Sequence, residues 1–261
     1  MKIAVLSDIH GNNIALQTCM EYLEKQAIDA YCFLGDYIGD FPQIRQVMDT
    51  LYTLQKNMPC YLIRGNKEEY ILSGIGEAHP EWDSYPSTVG MLRYARQHLT
   101  REDLSFLEAL PVTARIHIDG MKDIRICHGT QRAVKEQMRP GNSQNKEILA
   151  QVAEEYMLCG HTHRVMALQE YEKIVWNPGA VGLPSIEKRD TKTQFMILHS
   201  DNGAWHPEFI ELDYDIEQVI QEMHDTGLYE TAPYWARTTE CILRGTKVTH
   251  GTILGRAMAL C

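Results

Sequence analysis

The sequence predicts an α/β fold, and three features of its pattern support that prediction. Short apolar runs recur along the chain, each of a length suited to a buried strand. Segments with apolar residues at helical spacing lie between several of these runs. The 261 residues are enough for one large domain with a sizeable core. Strands and helices that alternate within one domain are typical of layered α/β architectures.

The apolar runs and the helical segments follow one another in a regular order. Five runs are predicted to be strands, at residues 2–7, 30–35, 60–65, 124–129 and 155–160. The segment 13–26 has the periodicity of an amphipathic helix, with Leu16 on its apolar face and Glu21 on its polar face. The segment 41–57 has the same periodicity. Strand signals return later, at 173–184 and 193–199.

Between the third and fourth predicted strands the pattern becomes helical. Residues 88–111 have the pattern of two short helices separated at Thr100, whose hydroxyl is expected to cap the second helix. We therefore predict a helical cap insertion at about 69–111 within a main domain of residues 1–213. Residues 214–261 are predicted to be a C-terminal helical extension that begins with an amphipathic helix.

Composition restricts the class of partner and the compartment. The formal net charge of −10 leaves no long basic surface, so polymeric nucleic acid is not an expected partner, whereas small phosphorylated substrates remain compatible if metals reverse the local field. The apolar stretch after Met1 is too short for a signal peptide or a membrane span, so we predict a cytoplasmic protein without a membrane partner. The seven cysteines lie mostly in strand-like runs and are expected to be reduced core residues.

Each of the five predicted strands is followed by residues that can bind a metal ion. They are Asp8 and His10 in SDIHGN, Asp36 in LGDYIGD, Asn66 in RGNKE, His128 in CHG, and His161 and His163 in CGHTH. Loops at the carboxyl ends of strands converge on one crevice in open α/β sheets, so we predict that the five motifs form one site. Any single motif could be a turn, a helix cap or an ordinary histidine. The prediction depends on all five occurring together.

The residue types favour two transition-metal ions. Imidazole nitrogens mixed with carboxylate and amide oxygens suit Mn, Fe, Zn or Ni better than Ca or Mg. Seven ligands are too many for one tetrahedral ion. Two ions about 3.5–4 Å apart, with an aspartate between them, account for the ligands and support in-line attack on phosphorus.

The motifs DIHGN, GD, GN, HG and GHTH, in this order, resemble those of the calcineurin-like metallophosphoesterase superfamily, especially its small bacterial phosphodiesterase-like branch. The resemblance extends over roughly residues 1–213 and includes NPGAVGLP at 177–184. It implies two mixed β-sheets packed as a sandwich and flanked by helices. It also implies hydrolysis of a small phosphodiester, phosphomonoester or nucleotide polyphosphate. Within that class a dinucleoside polyphosphate is the most specific candidate, because its leaving group suits the lysine at position 67.

The resemblance assigns a role to each matching residue. One ion would be bound by Asp8, His10 and His163, the other by Asn66, His128 and His161, and Asp36 would bridge the two. A hydroxide that bridges the ions would be the nucleophile, because two dications lower the pKa of bound water and neutralise charge on the phosphoryl oxygens.

Substrate contacts are predicted at three residues. Asn12 can cap the helix that follows it, and the resemblance also implies a place near the substrate phosphate. Arg189 could bind phosphate or be an ordinary solvated charge. Lys67 stands where many relatives carry a histidine that protonates the leaving oxygen. Because a lysine is a poor acid at neutral pH, we expect Lys67 to place positive charge beside the phosphate, and the alternative is an exposed side chain that points away.

Two other functions stay open. Serine/threonine protein phosphatase is the second enzymatic candidate, although such enzymes carry an arginine near the position that Asp40 occupies here. A catalytically silent metal-containing binding protein is the alternative outside enzymes, and the intact set of ligands argues against it. The C-terminal extension could dock on the domain, cover the pocket or form a homo-oligomer.

Overall fold

Two five-stranded β-sheets form the centre of the fold. The computed structural model describes residues 1–74, 86–183, 185, 191–246 and 248. The strands are β1 (Lys2–Leu6), β2 (Ala30–Phe33), β3 (Cys60–Leu62), β4 (Thr113–Ile116), β5 (Ile124–Cys127), β6 (Tyr156–Leu158), β7 (Val165–Glu170), β8 (Lys173–Pro178), β9 (Thr193–Asp201) and β10 (Ala204–Leu212). The helices are α1 (Asn13–Leu23), α2 (Ile44–Asn57), α3 (Asn66–Leu72), α4 (Pro86–Gln97), α5 (Arg101–Ala109), α6 (Asn145–Leu149), α7 (Ile216–Asp225), α8 (Leu228–Thr231) and α9 (Pro233–Leu243).

Both sheets combine parallel and antiparallel strands. The first has the order β10-β9-β1-β2-β3, in which β1, β2 and β3 are parallel and β9 and β10 are antiparallel. The second has the order β4-β5-β6-β8-β7, in which β5, β6 and β8 are parallel and the edge strands β4 and β7 are antiparallel. The predicted fold, two mixed sheets flanked by helices, is confirmed.

Alternate residues of the first sheet face two different apolar layers. On β1, Ile3 and Val5 belong to the layer between the sheets, together with Leu158 of the second sheet. Ala4 and Leu6 belong to the layer that the sheet forms with its helices. Successive side chains of a strand point to opposite faces, so a strand covered on both sides needs a continuous apolar run. The run at the start of the chain meets this need.

Helix α5 is held by the cap that the sequence predicts. The hydroxyl of Thr100 accepts a hydrogen bond from the amide of Asp103 at 3.1 Å, and the carboxylate of Asp103 accepts from the amide and the hydroxyl of Thr100 at 2.7 Å. The same carboxylate lies 2.6 Å from Nη1 of Arg45 and 2.7 Å from the hydroxyl of Tyr52. Both partners belong to α2, so the cap also anchors α5 to the domain.

The C-terminal helices pack against α4 of the predicted insertion. Helix α7 begins after Asp215, whose side chain accepts a hydrogen bond from the amide of Gln218 at 2.9 Å, and it is followed by Gly227 with φ of 77°. Helices α8 and α9 contact α4 directly. No helix within the described ranges is long and apolar enough to cross a membrane.

The expectation of reduced cysteines is wrong for one residue. Cys241, in α9, is disulfide-bonded. The other five cysteines in the described part of the chain are free, namely Cys19, Cys32, Cys60, Cys127 and Cys159, and all but Cys60 are buried. Those five lie in or beside strands and helices of the core, where burial raises the pKa of a thiol such as Cys159, to about 12. The apolar runs correctly indicate burial, but they carry no information on which thiols come close enough to pair.

Candidate metal centre

Five of the predicted ligands have an uncommon backbone conformation. Asp8, His10, Asp36, His161 and His163 all have φ between 54° and 63°. Residues other than glycine rarely adopt this left-handed backbone conformation, which costs on the order of 1–3 kcal/mol per residue. It persists where the surrounding structure stabilises it. Such residues concentrate at functional sites. The strain therefore indicates that the loops after β1, β2 and β6 are shaped to direct these side chains.

Glycines beside the predicted ligands let the loops approach one another closely. A Cβ atom on Gly65 would lie 2.2 Å from Oδ1 of Asp36, and one on Gly160 would lie 2.0 Å from Oγ of Ser7. Neither separation is tolerated by real side chains. The glycines of the GN and GH motifs are thus required by contact between neighbouring loops.

One group of potential ligands is formed by Asp8, His10 and His163. Nε2 of His163 lies 3.2 Å from Oδ1 of Asp8 and 3.1 Å from Nε2 of His10. Nε2 of His10 lies 3.7 Å from the same oxygen of Asp8. These three side chains come from two loops that are 153 residues apart in sequence, counted from His10 to His163.

A second group surrounds His128. Its Nε2 lies 3.1 Å from Oδ1 of Asn66, 3.4 Å from Oδ2 of Asp36 and 3.9 Å from Oδ1 of Asp8. The ring of His161 stands edge-on to the ring of His128, with centroids 5.3 Å apart. The five predicted motifs are thus brought to one place.

Asp36 lies between the two groups. Its Oδ2 is 3.6 Å from Nε2 of His10 and 3.4 Å from Nε2 of His128. Its other oxygen accepts a hydrogen bond from the amide of Lys67 at 2.8 Å. One oxygen is therefore held by the backbone while the other is directed between the two histidines.

Three histidines engage a second partner through Nδ1, which leaves Nε2 for the site. Nδ1 of His128 lies 2.7 Å from the carbonyl oxygen of Leu34, and Nδ1 of His163 lies 2.7 Å from that of Leu183. Nδ1 of His10 lies 2.8 Å from a carboxylate oxygen of Asp40. An acceptor at Nδ1 keeps a proton on that nitrogen, so Nε2 is the nitrogen that would bind a metal ion, as in metal-binding histidines.

The electrostatics of the cluster favour positive charge at its centre. Asp8 and Asp36 are at most 1% exposed, and within the described ranges Oδ1 of Asp8 is buried with only histidine nitrogens around it. Burial alone would raise the pKa of Asp36, but His128 and His10 lower it to about 2. Burial would lower the pKa of His128, but Asp36 and Asp8 raise it to about 9. These Asp and His groups fit a bound cation, which would take the place of the protons on the histidines.

Two acidic residues that the sequence did not mark as site residues support the predicted ligands. Glu68 is fully buried, and its carboxylate accepts hydrogen bonds from the amides of Asp36, Tyr37 and Gly65 at 2.8–2.9 Å. Asp40 contacts His10, as described above, and its other oxygen lies 3.2 Å from Nζ of Lys67. Both residues stand within the GD and GN motifs, so their proximity to the ligands in sequence was a usable signal.

The predicted substrate contacts have different surroundings. The side-chain oxygen of Asn12 accepts from the amide of Ala15 at 3.0 Å and its Nδ2 donates to the carbonyl of Gly182 at 3.0 Å, so the predicted cap is present. The side chain of Lys67 is 12% exposed, which excludes the alternative of an exposed lysine pointing away. Arg189 lies outside the described residues.

The histidine–carboxylate cluster could hold a metal ion. The sequence profile of the calcineurin-like phosphoesterase superfamily domain matches residues 1–203, so the chain belongs to the calcineurin-like phosphoesterase superfamily.

The similar proteins include three with matches over most of the chain. An uncharacterized protein of Methanocaldococcus jannaschii, MJ0912, is 22% identical over 253 residues, which cover 87% of this chain and 94% of that protein. The hypothetical protein PH1004 from Pyrococcus horikoshii, known from a crystal structure, is 24% identical in sequence. Its structure matches with a TM-score of 0.79 over 95% of this chain and 99% of that one. The crystal structure of a metallophosphoesterase from Sphaerobacter thermophilus is of a chain 22% identical in sequence. It matches with a TM-score of 0.72 over 94% of this chain and 100% of that one. The two solved structures share the fold of this chain.

Proposed function

We propose that the protein is a dinuclear metal-dependent phosphoesterase that cleaves a P–O bond of a small phosphodiester, phosphomonoester or nucleotide polyphosphate. The observation that carries the proposal is the orientation of His10, His128 and His163. Each directs Nε2 toward the carboxylates of Asp8 or Asp36, while Nδ1 contacts an acceptor outside the cluster. This combination is typical of histidines that bind metal ions.

The contacts support a division of the ligands between two ions. One ion would be held by Asp8, His10 and His163, the other by Asn66, His128 and His161, and Asp36 would be shared. The position of Oδ2 of Asp36 between His10 and His128 supports the shared role. Mn, Fe, Zn or Ni would suit the mixed nitrogen and oxygen donors.

Divalent ions at this centre would lower the pKa of a water molecule and neutralise charge on a phosphoryl group. The protein residues supply the geometry. Asp36 is held by the amide of Lys67 on one side, and His128 is held by the carbonyl of Leu34, so neither has to reorganise when substrate binds. Burial of Asp8 and Asp36 excludes water from their far sides and strengthens every charge interaction inside the site.

A nucleotide polyphosphate, such as a dinucleoside polyphosphate, is the substrate class that we favour. Its leaving group is itself a phosphate, which departs as an anion and needs little protonation. Lys67 supports this choice. Its ammonium is paired with Asp40, and a lysine is a poor acid at neutral pH, so a leaving group that needs no proton suits this site.

Metal analysis and a phosphoester panel on one preparation test the proposal. We expect two transition-metal ions per chain, hydrolysis that is lost on chelation, and recovery on adding Mn²⁺. His128→Ala should lose activity and metal content, whereas His117→Ala should retain both, because the His117 side chain is 63% exposed and lies on the β4–β5 connection.

The panel should contain aryl phosphoesters, a dinucleoside polyphosphate and phosphopeptides. Preference for phosphopeptides would point instead to a protein phosphatase. Two bound metals without hydrolysis of any phosphoester would point to a silent binding protein. Absence of tightly bound metal from a correctly folded sample would refute the proposed centre.

A further inference from the structure

Lys67 and Asp40 form a partly buried pair that contacts a predicted metal ligand. Oδ1 of Asp40 lies 3.2 Å from Nζ of Lys67, and Oδ2 of Asp40 lies 2.8 Å from Nδ1 of His10. Asp40 is 1% exposed, so water cannot replace either partner. A buried carboxylate needs compensating charge or hydrogen bonds. The ammonium of Lys67 supplies that charge.

The surroundings of Lys67 hold its ammonium at this pair. Its Nζ lies 3.9 Å from Sδ of Met91 in α4 and 5.5 Å from the centre of the Trp235 ring in α9. An ammonium over an indole face is attracted to it, and more strongly when both are removed from water. Trp235 is 6% exposed. The aromatic ring and the methionine thus enclose the lysine side that does not face Asp40.

The backbone is shaped to let this side chain pass beside His10. Gly39 has φ of 136°, a conformation that favours glycine, and it packs against both side chains: a Cβ atom there would lie 3.4 Å from Nδ1 of His10 and 3.4 Å from Cδ of Lys67. The amide of Lys67 meanwhile donates to Asp36, so this residue is fixed at both its backbone and its side chain.

We propose that Asp40 and Lys67 are positioning residues: Asp40 orients His10 through Nδ1, and Lys67 holds Asp40 in place. The inference rests on the proposed function, since it takes His10 to be a metal ligand. Lys67 then acts on the metal centre and not on the phosphate. Because Trp235 belongs to α9, the C-terminal helices complete the support of one ion.

The two roles of Lys67 predict opposite outcomes in a metal titration. Apoprotein of the full chain is titrated with Mn²⁺ by calorimetry and with Co²⁺ by visible absorption, for the wild type, Asp40→Asn and Lys67→Met. Loss of an outer partner of a ligating histidine typically lowers metal affinity about 10–100-fold. We expect Asp40→Asn to show this loss at one of the two ions, with an altered Co²⁺ spectrum, and Lys67→Met to show a smaller loss at the same ion.

A double variant tests whether the two residues act as one unit. If Lys67 acts through Asp40, then Asp40→Asn combined with Lys67→Met should bind metal no more weakly than Asp40→Asn alone. At saturating Mn²⁺ the variants should lower kcat and leave KM within about twofold of the wild-type value. Lys56→Met and Asp119→Asn are matched controls, because Lys56 is exposed at the end of α2 and the Asp119 side chain is fully exposed.

Three results would overturn the inference or distinguish its failure from failure of the proposed function. Wild-type affinity for both ions in Lys67→Met, combined with a raised KM, would show that the lysine binds substrate. Additive losses in the double variant would show that the two residues act independently. A wild-type chain that binds no metal would refute the proposed function itself, and circular dichroism of each variant separates loss of metal from loss of fold. If Asp40→Asn fails to fold, Lys67→Met alone decides between the two roles.

Discussion

Glu68 is the residue whose substitution should most directly weaken the support of the proposed centre while leaving every predicted ligand in the sequence. Its carboxylate joins the loop after β2 to the loop after β3, because it accepts from the amides of Asp36 and Tyr37 in one and Gly65 in the other. Asp36 is a predicted ligand and Gly65 precedes another. Replacing Glu68 by Gln or Ala should therefore lower both stability and metal affinity.

The magnitude follows from the three hydrogen bonds. Oε2 of Glu68 accepts from the amides of Asp36 and Gly65, and Oε1 accepts from that of Tyr37. A glutamine retains one oxygen for two of these amides, but its NH₂ group would face the third. Hydrogen bonds to a charged group are worth about 1.5–3 kcal/mol each, so Glu68→Gln should cost about 2–3 kcal/mol. Glu68→Ala removes all three and should cost more.

The cost of burying the charge of Glu68 offsets part of the stabilisation that these hydrogen bonds provide. Burial and the neighbouring Asp36 raise the pKa of Glu68 to about 7, so the ionised form is disfavoured near neutral pH. We would measure stability at pH 8, where the carboxylate is ionised, by urea unfolding followed by circular dichroism. Metal affinity is measured by calorimetry on the same samples.

Glu69→Gln is the matched control. The Glu69 side chain is 36% exposed and lies 3.6 Å from Nε of Arg64, and among the described residues this is its ion pair. Such pairs contribute about 0–1 kcal/mol. Equal unfolding midpoints for Glu68→Gln and Glu69→Gln would refute the account of Glu68 given above.

Two further predictions concern the cap of α5 and the last ligand loop. Burial raises the pKa of Asp103, but its hydrogen bonds lower it overall, so the carboxylate stabilises the fold above its ordinary pKa and this contribution is lost as pH falls through the lowered value. Asp103→Asn should cost about 1–3 kcal/mol at pH 7 and less near pH 3, measured by urea unfolding, and an equal cost at both pH values would contradict this. Gly160→Ala should reduce bound metal in elemental analysis, because the new Cβ would lie 2.0 Å from Oγ of Ser7. Gly120→Ala is strained by the φ of 79° at that position, but nothing lies within 4 Å of the new Cβ, so it should retain metal. Wild-type metal content in Gly160→Ala would contradict the steric argument.

The fold and the convergence of the motifs could be predicted from sequence because both depend on local pattern. Each apolar run gives a strand, and a polar motif at its carboxyl end is carried to the sheet edge whatever the rest of the chain does. The supporting contacts could not be predicted in the same way. Glu68 reaches an amide 32 residues away at Asp36, and Lys67 reaches a carboxylate 27 residues away at Asp40. Such pairs depend on the relative position of two loops, which only the packed structure provides.

The origin of the predicted ligands explains why these supporting contacts are needed. The first sheet supplies Asp8, His10, Asp36 and Asn66, whereas the second supplies His128, His161 and His163. The centre therefore forms only when the two sheets pack, and it needs bonds that cross between them. Oδ2 of Asp8 accepts such a bond from the amide of His161 at 3.0 Å, and Nδ1 of His128 contacts the carbonyl of Leu34 at 2.7 Å. Because these bonds involve backbone groups, they fix the loops before any ion binds. Contacts that only the complete sandwich can make thus offset the cost of the left-handed backbone at the predicted ligands.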